Sequence, residues 1–340
     1  MTGRITTGRG AVLVTGGAGY IGAHACKALA RAGFLPVVYD NLSTGHADAV
    51  RWGPGLIADI RDRAALAHAI ETYDIVAVMH FAASAYVGES MTDPALYYDN
   101  NIGGMIALLD VLRHTAGQRP VVLSSSCATY GLAGQAPITE AMPQNPINPY
   151  GRTKLVCEQM LADHASAYGL RPAILRYFNA AGADPEGELG EKHRPETHVI
   201  PLALMAAAGQ RAALDVFGTD YDTPDGTCLR DYIHVDDLAR AHVMALTQIL
   251  EGSEGLTLNL GSGRGVSVLE LAAAVERVTG CKVPLNLLPR RAGDPPMLVA
   301  DPTRAAELLG FRTQFIDIDT IIRHAAPWFV QKAGGDAKAA

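Results

Sequence analysis

The sequence lacks the cysteine pattern of a disulfide scaffold or a zinc site. Its five cysteines, Cys26, Cys127, Cys157, Cys228 and Cys281, are scattered, odd in number and contain no Cys-x-x-Cys pair. A reducing compartment is the expectation that follows. A basic excess is missing too: 28 Lys and Arg face 35 Asp and Glu, a formal charge of -7, which leaves no electrostatic footprint for nucleic acid. One basic pocket for an anionic small molecule is still compatible with that balance. No apolar window reaches the length of a membrane span, and Met1 to Gly10 has no apolar signal core, so the chain reads as cytoplasmic. Histidines do not cluster at metal-ligand spacing; His193 and His198 read as solvated or substrate-facing loop residues, and no metal is expected. No internal repeat is visible.

What is present is a regular alternation of strand-like and helix-like stretches over a chain of 340 residues, long enough for about two domains or one with a large elaboration. The run Ala11-Val-Leu-Val-Thr15 reads as a buried strand, and Gly16-Gly-Ala-Gly19-Tyr20-Ile21-Gly22 follows at once, opening a helix to about Ala32. Glycines at 16, 19 and 22 let the backbone turn tightly, let a pyrophosphate approach the amides at the helix start, and let helix pack on strand. The second strand, Leu35 to Tyr39, ends in Asp40, roughly where an acid about 20 residues beyond the glycines holds the adenine ribose of a dinucleotide. An acid there repels the phosphate of NADP, so NAD is the expected cofactor; the alternative is that Asp40 caps the next turn.

The alternation continues through Leu56 to Ile60, a helix near Arg63 to Thr72, Ile75 to Met79, a long helix from about Pro94 to His114, and Pro120 to Ser124. Units of this kind predict an α/β fold, a doubly wound parallel (Rossmann) sheet covered on both faces, with ligands beyond the carboxyl ends of its strands. The polar residues at those ends are Asp59, the turn His80 to Ser84, and Ser124-Ser-Ser126. Three serines closing a buried strand can satisfy their own turn, or one hydroxyl can bind a substrate oxygen.

Tyr150-Gly-Arg-Thr-Lys154 opens a helix running to about Tyr168, so the two side chains emerge on one face one turn apart. A phenol titrates near ~10 and is a poor base at neutral pH, but a fixed positive charge nearby favours the phenolate. By itself Tyr-x-x-x-Lys is common by chance; the glycine turn and the serines give it context. Pro172 to Phe178 returns to the sheet and ends at Asn179. From about Ala183 to Thr197 the chain is rich in Gly, Pro and charge and reads as a surface excursion. The expected organisation is an NAD-binding domain over 10–180, to which about 230–260 return, and a smaller C-terminal mixed α/β substrate domain over 181–332. Residues 1–9 and 333–340 are expected to be flexible ends.

These motifs, together with Val87-Gly-Glu-Ser90, Tyr97-Tyr-Asp-Asn-Asn101, Tyr130-Gly131, Leu175-Arg-Tyr-Phe-Asn179, Asp225 to His234 and Arg290-Arg-Ala-Gly-Asp294, resemble the extended short-chain dehydrogenase/reductases. Among these the chain is similar to the UDP-glucose 4-epimerase family, from about Ala11 to Trp328. The resemblance implies that Tyr150 is the base, that Lys154 lowers its pKa and holds the nicotinamide ribose, and that Ser126 binds the sugar hydroxyl being oxidised. It implies NAD contacts from Gly16, Gly19, Tyr20, Ile21, Gly22, Asp40, Asn41, Asp59, Ile60, Phe81, Ala82, Ala83, Asn100 and Tyr177. For a UDP-sugar it implies Asn179, Val199, Asp215, Phe217, Arg230, Arg291, Asp294 and Leu298, with the two arginines forking onto the diphosphate.

Three departures from relatives stand out. Ala85 occupies a position that is lysine in some, an asparagine of the uridine loop is replaced near His198, and Leu298 replaces a tyrosine that limits the sugar pocket. The last leaves room for an N-acetyl group, so UDP-N-acetylhexosamines are expected to be epimerised too; because relatives share nearly every motif, 4-epimerases of UDP-N-acetylglucosamine or of UDP-arabinose and UDP-xylose are the near alternatives. A 4,6-dehydratase needs an acid after the strand-end serine, and Ser126-Cys-Ala-Thr129 has none. A non-catalytic NAD-binding regulator would be expected to lose Tyr150, Lys154 or the arginines. Relatives also imply a homodimer through the helices near Pro94 to His114 and Tyr150 to Tyr168, with Leu108, Leu109, Val111 and Leu112 as a candidate stripe.

Overall fold

Short aliphatic runs buried on both faces make the centre of the molecule, which a computed structural model describes over residues 8–115, 119–134, 137–291 and 293–330. In chain order the strands are β1 (Ala11–Thr15), β2 (Leu35–Asp40), β3 (Gly55–Ile57), β4 (Ile75–His80), β5 (Val121–Ser126), β6 (Pro172–Tyr177), β7 (Asn179–Ala181), β8 (Leu214–Phe217) and β9 (Leu229–His234). Then follow β10 (Leu256–Leu260), β11 (Gly265–Ser267), β12 (Leu285–Leu288) and β13 (Met297–Leu298). Seven of them form one parallel sheet in the order β10-β6-β5-β4-β1-β2-β3. The order reverses between β1 and β4, so a crevice opens beyond their carboxyl ends.

Helices cover both faces, as the unbroken burial of β1 and β5 requires. One face packs Ala25 and Leu29 of helix Tyr20–Arg31 against Leu238, Ala245 and Leu246 of helix Val235–Leu250. The other packs Leu66 and Ile70 against Leu108, Leu112 and Leu161. Leu108, Leu109, Val111 and Leu112 therefore belong to the chain's own core, and the stripe expected to serve a dimer is consumed by the sheet beneath it. Exposed apolar residues of the stretch 94–114 include Leu96, Tyr98 and Ile106.

Three elements differ from their sequence-based outlines. The third strand stops at Ile57, because Asp59 turns the chain by accepting from Arg61 N at 2.9 Å, and Asp62 then caps helix Arg63–Thr72. The long helix from Pro94 to His114 is broken by a π-turn over Tyr98–Ile102. The widened turn directs Asn101 inward, where its side chain accepts from Ser84 N at 2.8 Å and donates to Thr153 Oγ1 at 2.9 Å. Third, residues 183–197 do not simply run over the surface. Asp184 is buried with Lys27, whose Nζ lies 2.7, 3.1 and 2.5 Å from Asp184, Glu186 and Glu188, so an ammonium on the first helix pulls the excursion back onto the fold.

Smaller sheets, β11-β9-β13 with β7 on β9 and β12 beside β8, sit beyond the carboxyl end of the main sheet. They enclose a core of their own with Leu204, Leu214, Leu271 and Ile322.

Inside the main sheet a buried ion pair fixes β5, β6 and the helix after Asn148. Arg176 donates to Glu158 through Nε at 3.0 Å and Nη2 at 2.6 Å; Ser125 Oγ and Gln144 Nε2 also donate to that carboxylate. Arg176 Nη1 reaches Tyr130 Oη at 2.8 Å, which in turn donates to Asn259 on β10 at 2.8 Å. Removing one member strands a buried charge. Glu158→Ala should therefore cost about 3–5 kcal/mol of stability, read as a fall in the urea midpoint, while a Glu158→Leu/Arg176→Met pair should recover most of it.

Candidate active site

A single cleft of about 860 Å³ runs along the carboxyl ends of the strands, between the main sheet and the smaller sheets. Its first wall is the glycine turn. Gly16 has φ +72°, and a Cβ there would lie 2.6 Å from Ala82 N, while one on Gly22 would lie 2.1 Å from Gly16 O. Only glycine lets β1, β4 and the helix start approach so closely. Helix Tyr20–Arg31 begins at Gly19 with no side-chain cap and no acid in its first turn, so unsatisfied amides and the positive helix end face the cleft. That is a cradle for an anionic bridge.

Asp40, at the end of β2, lines the cleft next to that cradle, yet both its oxygens also serve the backbone: Oδ2 accepts from Ala18 N at 3.0 Å and Oδ1 from Leu42 N at 2.8 Å. Capping and ligand contact are both open to it. Asn41, Ile60, Phe81, Ala82, Ala83 and Asn100 complete this end of the cleft. Asp59 lies behind them, its carboxyl held well below the usual range chiefly by hydrogen bonds from Arg61.

Ser126, Tyr150 and Lys154 come together at the end of β5, all buried. Asn148 accepts from Gly151 N at 2.8 Å and Pro149 opens the helix, which sets Tyr150 in its first turn. Lys154 Nζ donates to Ser124 O at 2.8 Å and stands 6.0 Å from the Tyr150 ring centre. Burial pushes the Tyr150 phenol far above its ordinary value, repulsion from Tyr177 adds to it, and a hydrogen bond with Ser126 pulls the other way. Burial likewise lowers the Lys154 ammonium. Of the influences on the phenol, burial is the largest.

The far wall carries Asn179, Arg291, Asp294 and Leu298. Asn179 is oriented by donating to Asp231 O at 2.9 Å. Arg291 stacks on Phe217 with its guanidinium 3.8 Å from the ring centre. Arg230 is set back: it donates to Leu229 O, to Pro295 O at 3.0 Å and to the Asp294 carboxylate. Lys154, Asp59, Val199, Asp215, Phe217 and Arg230 do not line the cleft; Asp215 pairs with Arg211 and Asn286, and Val199 opens helix Val199–Ala207. Arg230 therefore positions Asp294, and only Arg291 of the two arginines faces the cleft.

Tyr86, Phe178, Glu191 and Arg194, which the sequence did not single out as site residues, also line it, and so do His193 and His198, read from the sequence as solvated or substrate-facing. Burial opposes charge on these imidazoles, but hydrogen bonds they donate to Glu191 and Glu196 outweigh it and raise His193 to about 8 and His198 to about 10. Nothing in their spacing signals that convergence, because it depends on where the excursion folds back.

Residues 12–261 match the NAD dependent epimerase/dehydratase family. A UDP-glucose 4-epimerase of Rhizobium leguminosarum bv. trifolii is 52% identical over 317 residues, 93% of this chain and 96% of that one. The crystal structure of UDP-glucose 4-epimerase from Brucella ovis in complex with NAD is similar with a TM-score of 0.92 and 62% identity, covering 94% of this chain and 98% of that one. That of UDP-glucose-4-epimerase from Stenotrophomonas maltophila, with bound NAD and formylated UDP-arabinopyranose, has a TM-score of 0.90 and 43% identity, covering 94% and 98%.

Proposed function

The chain belongs to the NAD dependent epimerase/dehydratase family, and we infer that it interconverts UDP-glucose and UDP-galactose through a 4-keto sugar, with NAD as its cofactor. The observation that carries this reading is that Tyr150 and Ser126 line the same cleft as the uncapped helix start, with Lys154 buried one helical turn from Tyr150. NAD, when bound, takes a hydride from C4 of the sugar and gives it back to the other face. The residues present fit it: the amides of the glycine turn would hold its pyrophosphate, and Asp40 and Asn41 the adenine ribose. Tyr150 takes the proton from the 4-hydroxyl and later returns it, with Ser126 bonded to the same oxygen. Arg291 and Asp294 hold the nucleotide diphosphate and a ribose hydroxyl, so the keto sugar can turn without leaving.

Leu298, on the cleft wall, favours a second substrate class. A leucine where a tyrosine would stand leaves space for an N-acetyl group, so UDP-N-acetylhexosamines should be epimerised as well. Purified protein given UDP-galactose or UDP-N-acetylgalactosamine, with no NAD added, should form both 4-epimers, and Tyr150→Phe should slow either by about 10²–10⁴-fold. Absolute dependence on added NAD, or full activity of Tyr150→Phe, would overturn the mechanism; inert UDP-N-acetylgalactosamine beside brisk UDP-galactose turnover would overturn the role given to Leu298.

The pH dependence has a definite sign. A positive charge favours phenolate, so removing it raises the phenol's pKa. Lys154→Met should lose rate at neutral pH and regain part of it as pH rises, moving the ascending limb of the kcat profile to higher pH. An unshifted limb would remove Lys154 from the proton step.

We propose a homodimer in the cytoplasm, supported by Leu96, Tyr98 and Ile106, exposed together on the stretch Pro94 to His114. Light scattering should give twice the chain mass of 35.9 kDa; the single-chain mass at working concentration would refute it.

A further inference from the structure

Four side chains of the folded-back loop, Glu191, His193, Glu196 and His198, each bring one donor atom to within 4.8 Å of the others. Both imidazoles present the same nitrogen. His193 Nδ1 lies 3.0 Å from Glu191 Oε1 and 3.7 Å from Glu196 Oε2, and His198 Nδ1 lies 2.7 Å from Glu191 Oε1 and 3.0 Å from Glu196 Oε1. The two carboxylate side chains are only 4% and 7% exposed. Glu196 Oε2 has no hydrogen-bond donor among the described residues. A buried carboxylate pair with an unserved oxygen, faced by two imidazole nitrogens that a metal ion can take once their protons leave, gathers four possible ligand atoms in one place.

The neighbouring acids make the contrast. Asp184, Glu186 and Glu188 also approach one another, but Lys27 Nζ sits among them and answers their charge. No lysine or arginine bridges Glu191 and Glu196 among the described ion pairs. We propose that this loop binds one divalent transition-metal ion, Zn²⁺ by its donor chemistry, through His193 Nδ1, His198 Nδ1 and one oxygen each of Glu191 and Glu196. Two nitrogens and two carboxylate oxygens suit a four-coordinate zinc site, and a dication neutralises the two acids. Tetrahedral bonds of ~2.0–2.2 Å place donors roughly 3.3–3.6 Å apart, a range that the nitrogen–oxygen separations of 2.7 to 3.7 Å bracket. His198 is 47% exposed and lines the cleft, which gives the ion an entry path.

The site clamps the loop against the catalytic cleft. His193 meets the rings of Tyr20 and Tyr86 edge-on at 6.2 and 6.0 Å, so the ion would brace the cleft wall beside the glycine turn without touching Tyr150. The competing account is two imidazolium–carboxylate pairs and no metal.

Untagged full-length protein, incubated with Zn²⁺ and dialysed into metal-free buffer, should retain about one zinc per chain by plasma mass spectrometry. His193→Ala/His198→Ala should retain below about a tenth of that, and Cys281→Ser, which alters the exposed thiol, should retain all of it. Should the double variant fail to fold, wild-type protein loaded with Co²⁺ serves instead: a visible four-coordinate band without thiolate charge transfer supports the site. Less than a tenth of an equivalent in the wild type, zinc retained by a folded double variant, or a thiolate spectrum would overturn it.

Discussion

The structure depends on Glu158. Tyr150, Lys154 and Glu158 follow one another at single-turn spacing on one face of helix Pro149–Tyr168, and all three are buried against the sheet. Each turn reaches a different layer. Glu158 takes Ser125 and Arg176, partners across β5 and β6, while Lys154 takes Ser124 O. Because Ser126 pairs with Tyr177 one step further in the same register, fixing Glu158 also fixes the lateral position of the hydroxyl and the ring between which Tyr150 must lie. A buried ion pair is weak support for stability as such. Its value here is registry: it leaves the helix one way to lie on the strands.

That placement explains the electrostatics of the site. Tyr150 is largely buried although it borders the cleft, and burial is the largest influence raising its phenol. On the proposed mechanism, the positive charge of oxidised NAD brought beside Tyr150 would favour its phenolate.

Much of this was legible in the sequence, and the reasons differ from element to element. β1 with the glycine turn, the strand-end serines and Tyr150 with Lys154 are local patterns, each readable within a dozen residues. Asp40 was read two ways, and the structure keeps both, since a carboxylate can serve Ala18 N and Leu42 N and still border the cleft. What stayed hidden depends on distant partners. Lys27 and Asp184 are 157 residues apart, and their contact turns an apparent surface excursion into a cleft wall. The stripe from Leu108 to Leu112 has the same spacing whether it meets a partner or its own sheet, so periodicity cannot choose between them. The π-turn at Tyr98–Ile102 answers to Asn101's inward partners, which no local propensity records.

The division of labour between anchoring and selection follows from the small sheet. β13 is two residues long and pairs in parallel with β9, setting Leu298 beside Arg230 and Met297 beside Leu229. Arg230 holds Asp294, so on the proposed function the residues given to the nucleotide and to the sugar pocket, Asp294 and Leu298, lie on one short segment tied to β9. A substitution at Leu298 changes the volume offered to the sugar without loosening that grip, because Arg230 is tied through Leu229 O and Pro295 O as well. Selection among sugars can then drift at one side chain while the main sheet, which carries Ser126 and its partners, stays as it is. On the proposed function, the chemistry and the choice of substrate rest on different strands, whose hydrogen bonds meet where Asn179, opening β7, donates to Asp231 on β9 and where Asn259 donates to Ile138 O.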